Sequence, residues 1–171
     1  MEKLIEYINT RKLVVTEEMV NTHNEEYRTT KSGYSNRANL DSEYLEDDVA
    51  KHVLGAEAIT IEPDRFLADI KYKGMVIDFK EIASIWYNLQ HDPERYLEAL
   101  IEGKLTHFLF FKSNRLRYEQ NIPDIIPAGF ELTFEFLGLY DVNTVLAGRD
   151  FKYPRVNVYN LGDKYGRRID L

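Results

Sequence analysis

The sequence contains no cysteine, so disulfide bonds and thiolate metal sites are both excluded. Long apolar runs are also missing: the longest, such as Phe108 to Phe111, fall far short of the roughly 20 residues that a membrane helix requires. The N-terminus carries Glu2, Lys3 and Glu6 and lacks a basic segment followed by an apolar one, so no secretion signal is predicted. We expect a cytoplasmic protein that does not enter a membrane.

Basic residues are in the minority, with 22 lysines and arginines against 29 acids and a net charge of -7. A surface devoted to nucleic acid usually leaves a basic footprint, so this balance argues mildly against one. A metal-dependent nuclease remains compatible with it, because such an enzyme needs carboxylates at its centre and only local basic patches. Aromatic residues make up 13% of the chain, which suits a filled core or stacking surfaces.

The length of 171 residues and a hydrophobic content of 44% predict one compact domain over residues 1–171. Its core is expected at about residues 40–140, with helices and a polar loop over 1–39 and strands and a tail over 141–171. The order of the patterns predicts an α/β or α+β fold, with a central mixed sheet flanked by helices.

The individual elements follow from the apolar periodicity. Helices are predicted over Glu2–Val15, Asp41–Gly55, Ile82–Leu89 and Pro93–Gly103, and strands over Ile59–Ile61, Phe66–Tyr72, Met75–Lys80, Thr106–Phe111 and Phe130–Leu139. Trp86 and Tyr87 then belong to a helix, where we expect them to pack in the core rather than to stack on bases. Gln90 is expected at the end of the same helix.

Residues 68–81 form the most informative stretch, which is typical of a tight hairpin. Lys73 and Gly74 suit a two-residue turn, because glycine tolerates the positive φ that such turns demand. With that turn, Asp69 lies opposite Asp78 in the predicted register. Because side chains alternate between faces, Lys80 lies on the same face as both acids, and the other face is apolar.

Two carboxylates directly opposite each other repel, so the pairing needs compensation. One interpretation is local: Lys71 and Lys80 lie on the same face and could neutralise both acids in a solvated ion-pair network. The other interpretation is a divalent cation, because Mg²⁺ is usually held by one or two carboxylates together with waters and phosphate oxygens. In that case Lys80 would orient or activate water, or stabilise charge on a phosphate.

The segment Tyr44 to Leu54 adds a further acid. Leu45, Val49 and Val53 form the buried stripe of a helix, and Glu46 lies beside that stripe whereas Asp47 and Asp48 point towards water. Glu46 is therefore the acid that we expect to look inward.

This combination resembles the PD-(D/E)XK nuclease superfamily. The superfamily carries two acidic motifs on adjacent hairpin strands, and their spacing is similar to that of Asp69 and, after eight intervening residues, Asp78-Phe79-Lys80. The helix with Glu46 is similar to that of phage Holliday-junction resolvases in this superfamily. The resemblance covers roughly residues 44–113 and implies a restriction-endonuclease-like core.

The resemblance also implies a function. It is that of a magnesium- or manganese-dependent endonuclease, with Glu46, Asp69 and Asp78 as metal ligands and the Phe79 carbonyl as a backbone ligand. Lys80 would orient the attacking water. Asp64, of the literal Pro63-Asp64 pair, is the alternative first acid if a bulge shifts the parity of the strand.

The implied partner is duplex or branched DNA, and symmetric cutting would favour a homodimer. Lys112, Arg115 and Arg117 form the best basic patch, and Lys31 and Arg37 lie in the polar loop; for each group a solvated loop is the competing interpretation. A superfamily member that acts on RNA also stays open. The competing class is a non-catalytic phage or mobile-element inhibitor, whose acidic run Asp41 to Asp48 would mimic DNA phosphates.

Overall fold

A computed structural model describes residues 2–19, 21, 57–58, 68–82, 84–114 and 128–165. Within these ranges the numbered helices are α1 (Glu2–Thr10), α2 (Pro93–Ile101), α3 (Val142–Ala147) and α4 (Val158–Tyr165), and residues 17–19 and 21 are also helical. The strands are β1 (Lys12–Val14), β2 (Glu57–Ala58), β3 (Ile70–Tyr72), β4 (Met75–Glu81), β5 (Trp86–Asn88), β6 (His107–Ser113), β7 (Glu131–Asp141) and β8 (Arg155–Asn157). None of the described helices is long and apolar enough to cross a bilayer.

Six strands form a mixed sheet in the order β1-β7-β6-β4-β3-β2. Strands β4 and β6 are parallel, and every other pair is antiparallel. The parallel pair needs a crossover, which β5 and α2 supply between them. Strands β5 and β8 form a separate two-stranded ribbon. The prediction of an α+β protein with a central mixed sheet flanked by helices is confirmed.

Both faces of the sheet are covered. Leu109 and Phe111 pack in a first cluster together with residues of α1, whereas Phe108 and Phe110 pack in a second cluster with residues of β5, α2, α3, β8 and α4. Strand β6 is buried on both sides and therefore reads as a continuous apolar run, as expected for a central strand with a parallel neighbour. The prediction of a buried strand at this position is confirmed.

The helix predicted over Ile82–Leu89 is wrong, because Trp86–Asn88 form strand β5 and no described residue of the segment is helical. Its backbone bonds reach other segments: the Ile82 N–H donates to the Phe111 carbonyl at 2.9 Å, and the Leu89 N–H donates to the Pro154 carbonyl at 2.7 Å. Tyr87 and Leu89 are buried, whereas Ile85 is 41% exposed. The observed burial follows a period of two from Tyr87 onward, and Gln90 lies in a bend rather than in a helix.

The N-terminal helix is shorter than predicted. It ends at Thr10, and Leu13 belongs to β1, which pairs with β7. The helix predicted from Pro93 is confirmed: Pro93 is its first residue, the helix ends at Ile101, and Gly103 follows with a φ of 68°. The helix predicted over Asp41–Gly55 and the strand predicted over Ile59–Ile61 lie outside the described residues.

Gly138 marks an irregular point of the central pair β6–β7. Phe110 faces Gly138 and Phe111 faces Phe136, so Leu137 is the extra residue of a β-bulge. A Cβ at Gly138 would clash with Cε2 of Tyr140. The Tyr140 ring covers this position and packs against the Phe110 ring, with 6.3 Å between centroids.

Replacement of Gly138 by alanine is expected to lower the free energy of unfolding by about 1–3 kcal/mol, because the buried Tyr140 ring has to move out of a packed core. Gly162→Ala is the matched control, since its Cβ would meet Tyr140 Oη at an ordinary 3.5 Å. Urea denaturation of both variants measures the difference. Equal stabilities would show that the Tyr140 ring gives way freely.

Candidate functional site

The hairpin that carries the two acidic motifs forms as predicted up to Ile70. Tyr72 pairs with Met75, Lys71 with Val76 and Ile70 with Ile77. The turn residues Lys73 and Gly74 have φ values of 46° and 81°. Positive φ at both central positions is characteristic of the turn type that matches the twist of a hairpin, so the predicted register is confirmed for these three pairs.

Beyond Ile70 the ladder becomes irregular at Asp69. The Asp69 N–H donates to the Ile77 carbonyl at 2.8 Å, although Ile77 is already the partner of Ile70. The Asp69 side chain then takes over a backbone role, because its Oδ2 accepts from the Phe79 N–H at 2.6 Å. Asp69 is thereby held against β4 by its backbone and by its carboxylate.

Asp78 lies on the face of β4 that is covered by the second cluster, opposite Phe108 of β6. Only 7% of Asp78 is exposed. Its Oδ2 pairs with Lys80 Nζ at 2.8 Å. The ion pair between Lys80 and Asp78 that the local interpretation predicts is therefore present, but it is mostly buried rather than solvated; Lys71 is exposed.

The two acids interact electrostatically. The pKa of the Asp78 carboxyl is raised well above its usual range, chiefly by burial; the Lys80 ammonium partly offsets this, and the Asp69 charge adds to it. Asp69 and Asp78 thus form an acid pair whose charges repel, and a positive charge beside them relieves that repulsion.

Lys80 stays protonated in this environment. Burial lowers the pKa of its ammonium, but the neighbouring Asp78 and Asp69 carboxylates outweigh the burial and raise the pKa above its usual value. Lys80 therefore acts as a hydrogen-bond donor and a positive charge at neutral pH, and it does not serve as a base.

Two tyrosines complete the surroundings of the acid pair. The Tyr87 hydroxyl is buried and has no hydrogen-bond partner among the described residues. The pKa of Tyr87 is raised by burial first, and then by its neighbours Tyr96 and Asp78. The Tyr96 hydroxyl accepts from the Gln90 N–H at 3.1 Å. The expected core position of Tyr87 is confirmed, although it lies on a strand and not on a helix. Neither tyrosine was predicted to lie beside the acids; the alternation of Tyr87 and Leu89 is the signal that places Tyr87 inward.

The other predicted site residues are distributed as follows. Lys112 lies near the end of β6, where its ammonium contacts the Tyr159 hydroxyl and lies 4.8 Å from the centre of the Tyr159 ring. The Phe79 N–H points towards Asp69. The carbonyl of a strand residue points to the same side as its N–H, so the Phe79 carbonyl also lies on the Asp69 side of β4. Outside the described residues lie Glu46, Asp64, Lys31, Arg37, Arg115 and Arg117.

Asp69 and Asp78 would supply two oxygen ligands to a cation and not a complete cage. In the described ranges, no group of three or more histidines, aspartates or glutamates could hold a metal ion. A pair still suits Mg²⁺, which keeps several waters and takes one or two carboxylates in most enzyme sites. A divalent charge beside Asp78 would favour its carboxylate form, which burial disfavours.

No protein-family model, curated protein or solved structure matches the chain. Function is therefore inferred from the geometry of these residues and from the motif resemblance alone.

Proposed function

We propose that the protein is a metal-dependent endonuclease that hydrolyses DNA phosphodiester bonds. The observation that carries this proposal is the buried Asp78, which pairs with Lys80 at 2.8 Å and lies near enough to the half-buried Asp69 for the two acids to interact. Burial of Asp78 costs desolvation of its carboxylate, and the charge of the neighbouring Asp69 adds repulsion. A function that requires concentrated negative charge accounts for this cost.

Asp69 and Asp78 would hold Mg²⁺ or Mn²⁺, together with Glu46 and the Phe79 carbonyl that the motif resemblance implies. The ion would act as a Lewis acid on the phosphate and lower the pKa of a bound water. Asp69 is suited to ligation because the Phe79 N–H fixes the orientation of its carboxylate. Glu46 and the alternative acid Asp64 remain predictions.

Lys80 supplies the positive charge next to the acids. Because its ammonium is protonated, it orients the attacking water or stabilises charge that develops on the phosphate oxygens. Water would add to phosphorus and the 3′ oxygen would leave, giving a 5′-phosphate and a 3′-hydroxyl end. The preferred substrates are duplex or branched DNA, and cutting both strands would engage two copies of the chain.

The topology is compatible with a restriction-endonuclease-like core. Asp69 directly precedes β3 and Asp78 lies in the adjacent strand β4 of the hairpin, and β6 follows the intervening helix α2. Strand β6 then lies parallel to β4, beside the proposed ligand Asp78. This arrangement supports the proposal through strand order, independently of the side chains.

The proposal is tested by incubating the protein with supercoiled, branched and single-stranded DNA and with RNA. Each substrate is tried with Mg²⁺, with Mn²⁺ and with a chelator. We expect cleavage of DNA only when a divalent ion is present, and end-labelling should find 5′-phosphates. If the folded protein cleaves none of these substrates and binds a protein partner without metal, it is instead a non-catalytic inhibitor.

A further inference from the structure

The ribbon β5–β8 and the loop that precedes β8 carry exposed aromatic rings. Phe151 is 91% exposed and Tyr153 is 47% exposed, and both lie between α3 and β8. Tyr87 and Val156 are the inward-facing residues of the ribbon and are buried. The exposed rings therefore lie outside the core, and exposed apolar side chains that form a contiguous patch mark interaction surfaces.

Cationic side chains lie over these rings. Arg155 Cζ is 4.2 Å from the centre of the Trp86 ring and 4.9 Å from that of Tyr153, and so it joins the two. Next to them, Arg149 Cζ is 5.4 Å from the Phe151 ring centre and Lys152 Nζ is 5.3 Å from that of Tyr153. The aromatic–cation patch consists of Trp86, Arg149, Phe151, Lys152, Tyr153 and Arg155.

The patch has a positive charge in an acidic protein. Residues 148–155 contain three cations and one acid, whereas the whole chain has a net charge of -7. The acid, Asp150, lies 3.8 Å from the Arg155 guanidinium and accepts from the Lys152 N–H at 2.8 Å. The surface is therefore complementary to a polyanion that also offers flat rings.

The backbone holds this surface in place. The Asp150 N–H donates to the Arg155 carbonyl at 2.8 Å, and Arg149 forms a bridge with Val156. On the inner side, the Tyr87 ring packs against Phe108 and Phe110, the two residues that lie opposite Asp78 and Lys80 across the ladder. The patch thus occupies the outer side of the layer that covers the acid pair.

We propose that the aromatic–cation patch binds single-stranded DNA, with unstacked bases on Phe151 and Tyr153 and phosphates at Arg149, Lys152 and Arg155. Any base can stack on an aromatic side chain, because every base has a flat face. Cationic side chains that contact the phosphates of the DNA backbone supply the remaining affinity. A base pair in a duplex hides its faces, so duplex DNA should bind more weakly. This site needs no metal and does not depend on hydrolysis.

The proposal is tested by fluorescence anisotropy. A labelled oligothymidylate of about 20 nucleotides is titrated with the full chain in the presence of EDTA. We expect binding in the micromolar range or tighter, with a slope of log K against log salt near about -2 for three phosphate contacts. Trp86 is the only tryptophan of the chain, so quenching of its fluorescence should follow the same curve.

The variants Phe151→Ala and Tyr153→Ala should each weaken binding by about tenfold or more. Lys152→Gln should weaken it and flatten the salt dependence by about 0.7. Lys73→Gln is the matched control, because Lys73 also lies over an aromatic ring, that of Tyr72 at 5.2 Å, at the hairpin turn; it should leave binding unchanged.

Equal affinity for duplex and single strands, or unchanged affinity in both aromatic variants, would overturn the assignment. Tighter binding to phosphatidylserine vesicles than to the oligonucleotide would assign the patch to a membrane surface and would also overturn it. Because EDTA prevents hydrolysis, loss of cleavage in the earlier assay leaves this result unaffected, and the two proposals fail separately.

Discussion

Asp78→Asn is expected to reduce metal-dependent DNA cleavage by at least about a thousandfold. The asparagine keeps the size of the side chain but removes the buried charge that would hold the cation. A Lewis-acid metal contributes several kcal/mol to the transition state, and each 1.4 kcal/mol corresponds to about a factor of ten in rate. Cleavage of supercoiled DNA over time, at saturating Mg²⁺, measures the loss.

Lys80→Gln is expected to reduce the same rate by about a hundredfold to a thousandfold, as removal of one preorganised donor does in other hydrolases. Lys71→Gln is the matched control, because Lys71 belongs to the same hairpin and is exposed. Substitutions of exposed residues away from a functional site usually have small effects, so cleavage by this variant should stay within about twofold of wild type. Far-ultraviolet circular dichroism confirms that each variant is folded. Wild-type rates for a folded Asp78→Asn variant would contradict the proposed metal site.

Lys80→Met is expected to destabilise the protein strongly at pH 8 and only slightly at pH 5. The variant leaves the Asp78 carboxylate buried without its cation, and removal of one partner from a buried ion pair costs about 3–5 kcal/mol. At pH 5 the carboxyl escapes most of this cost by taking up a proton.

The sign of this effect follows from the pKa of Asp78, which is higher in the folded chain than in the unfolded chain. The folded state therefore binds more protons, and the contribution of Asp78 to stability falls as the pH rises from its unfolded pKa through its folded pKa. Loss of Lys80 removes the interaction that lowers the pKa of Asp78, so the fall becomes steeper and continues to higher pH.

Urea denaturation at pH 5 and pH 8 measures this dependence. The double variant Asp78→Leu with Lys80→Met should recover most of the stability at pH 8, because an apolar pair replaces the broken ion pair. Lys71→Met serves as the exposed control and should change stability by less than about 0.5 kcal/mol. An equal loss for Lys80→Met at both pH values would show that Asp78 is not the group responsible.

The hairpin could be predicted from local chemistry. Gly74 sets the turn, and strict alternation then fixes which residues pair up to Ile70. The departure at Asp69 could not be predicted in this way, because it depends on a side chain that replaces a backbone acceptor for the Phe79 N–H. Such competition between side chain and backbone leaves no period in the sequence.

The burial of the charged face also depends on distant segments. Alternation places Asp78 and Lys80 on one face, but whether water reaches that face is decided by β5 and α2, which come later in the chain. Strand β5 was missed because Ile82, Ile85 and Leu89 are spaced by three and four residues and therefore match a helix. Tertiary pairing with β8 overrides that local preference.

The most direct test of the proposed metal centre is X-ray diffraction from crystals soaked in Mn²⁺. We predict an anomalous peak within about 2.3 Å of carboxylate oxygens of both Asp69 and Asp78, with Lys80 beside the ion. The same position should be empty in Asp78→Asn crystals soaked in parallel. The proposed metal centre would be contradicted if Mn²⁺ bound only at other positions of the wild-type crystals and the Lys80 ammonium remained paired to Asp78.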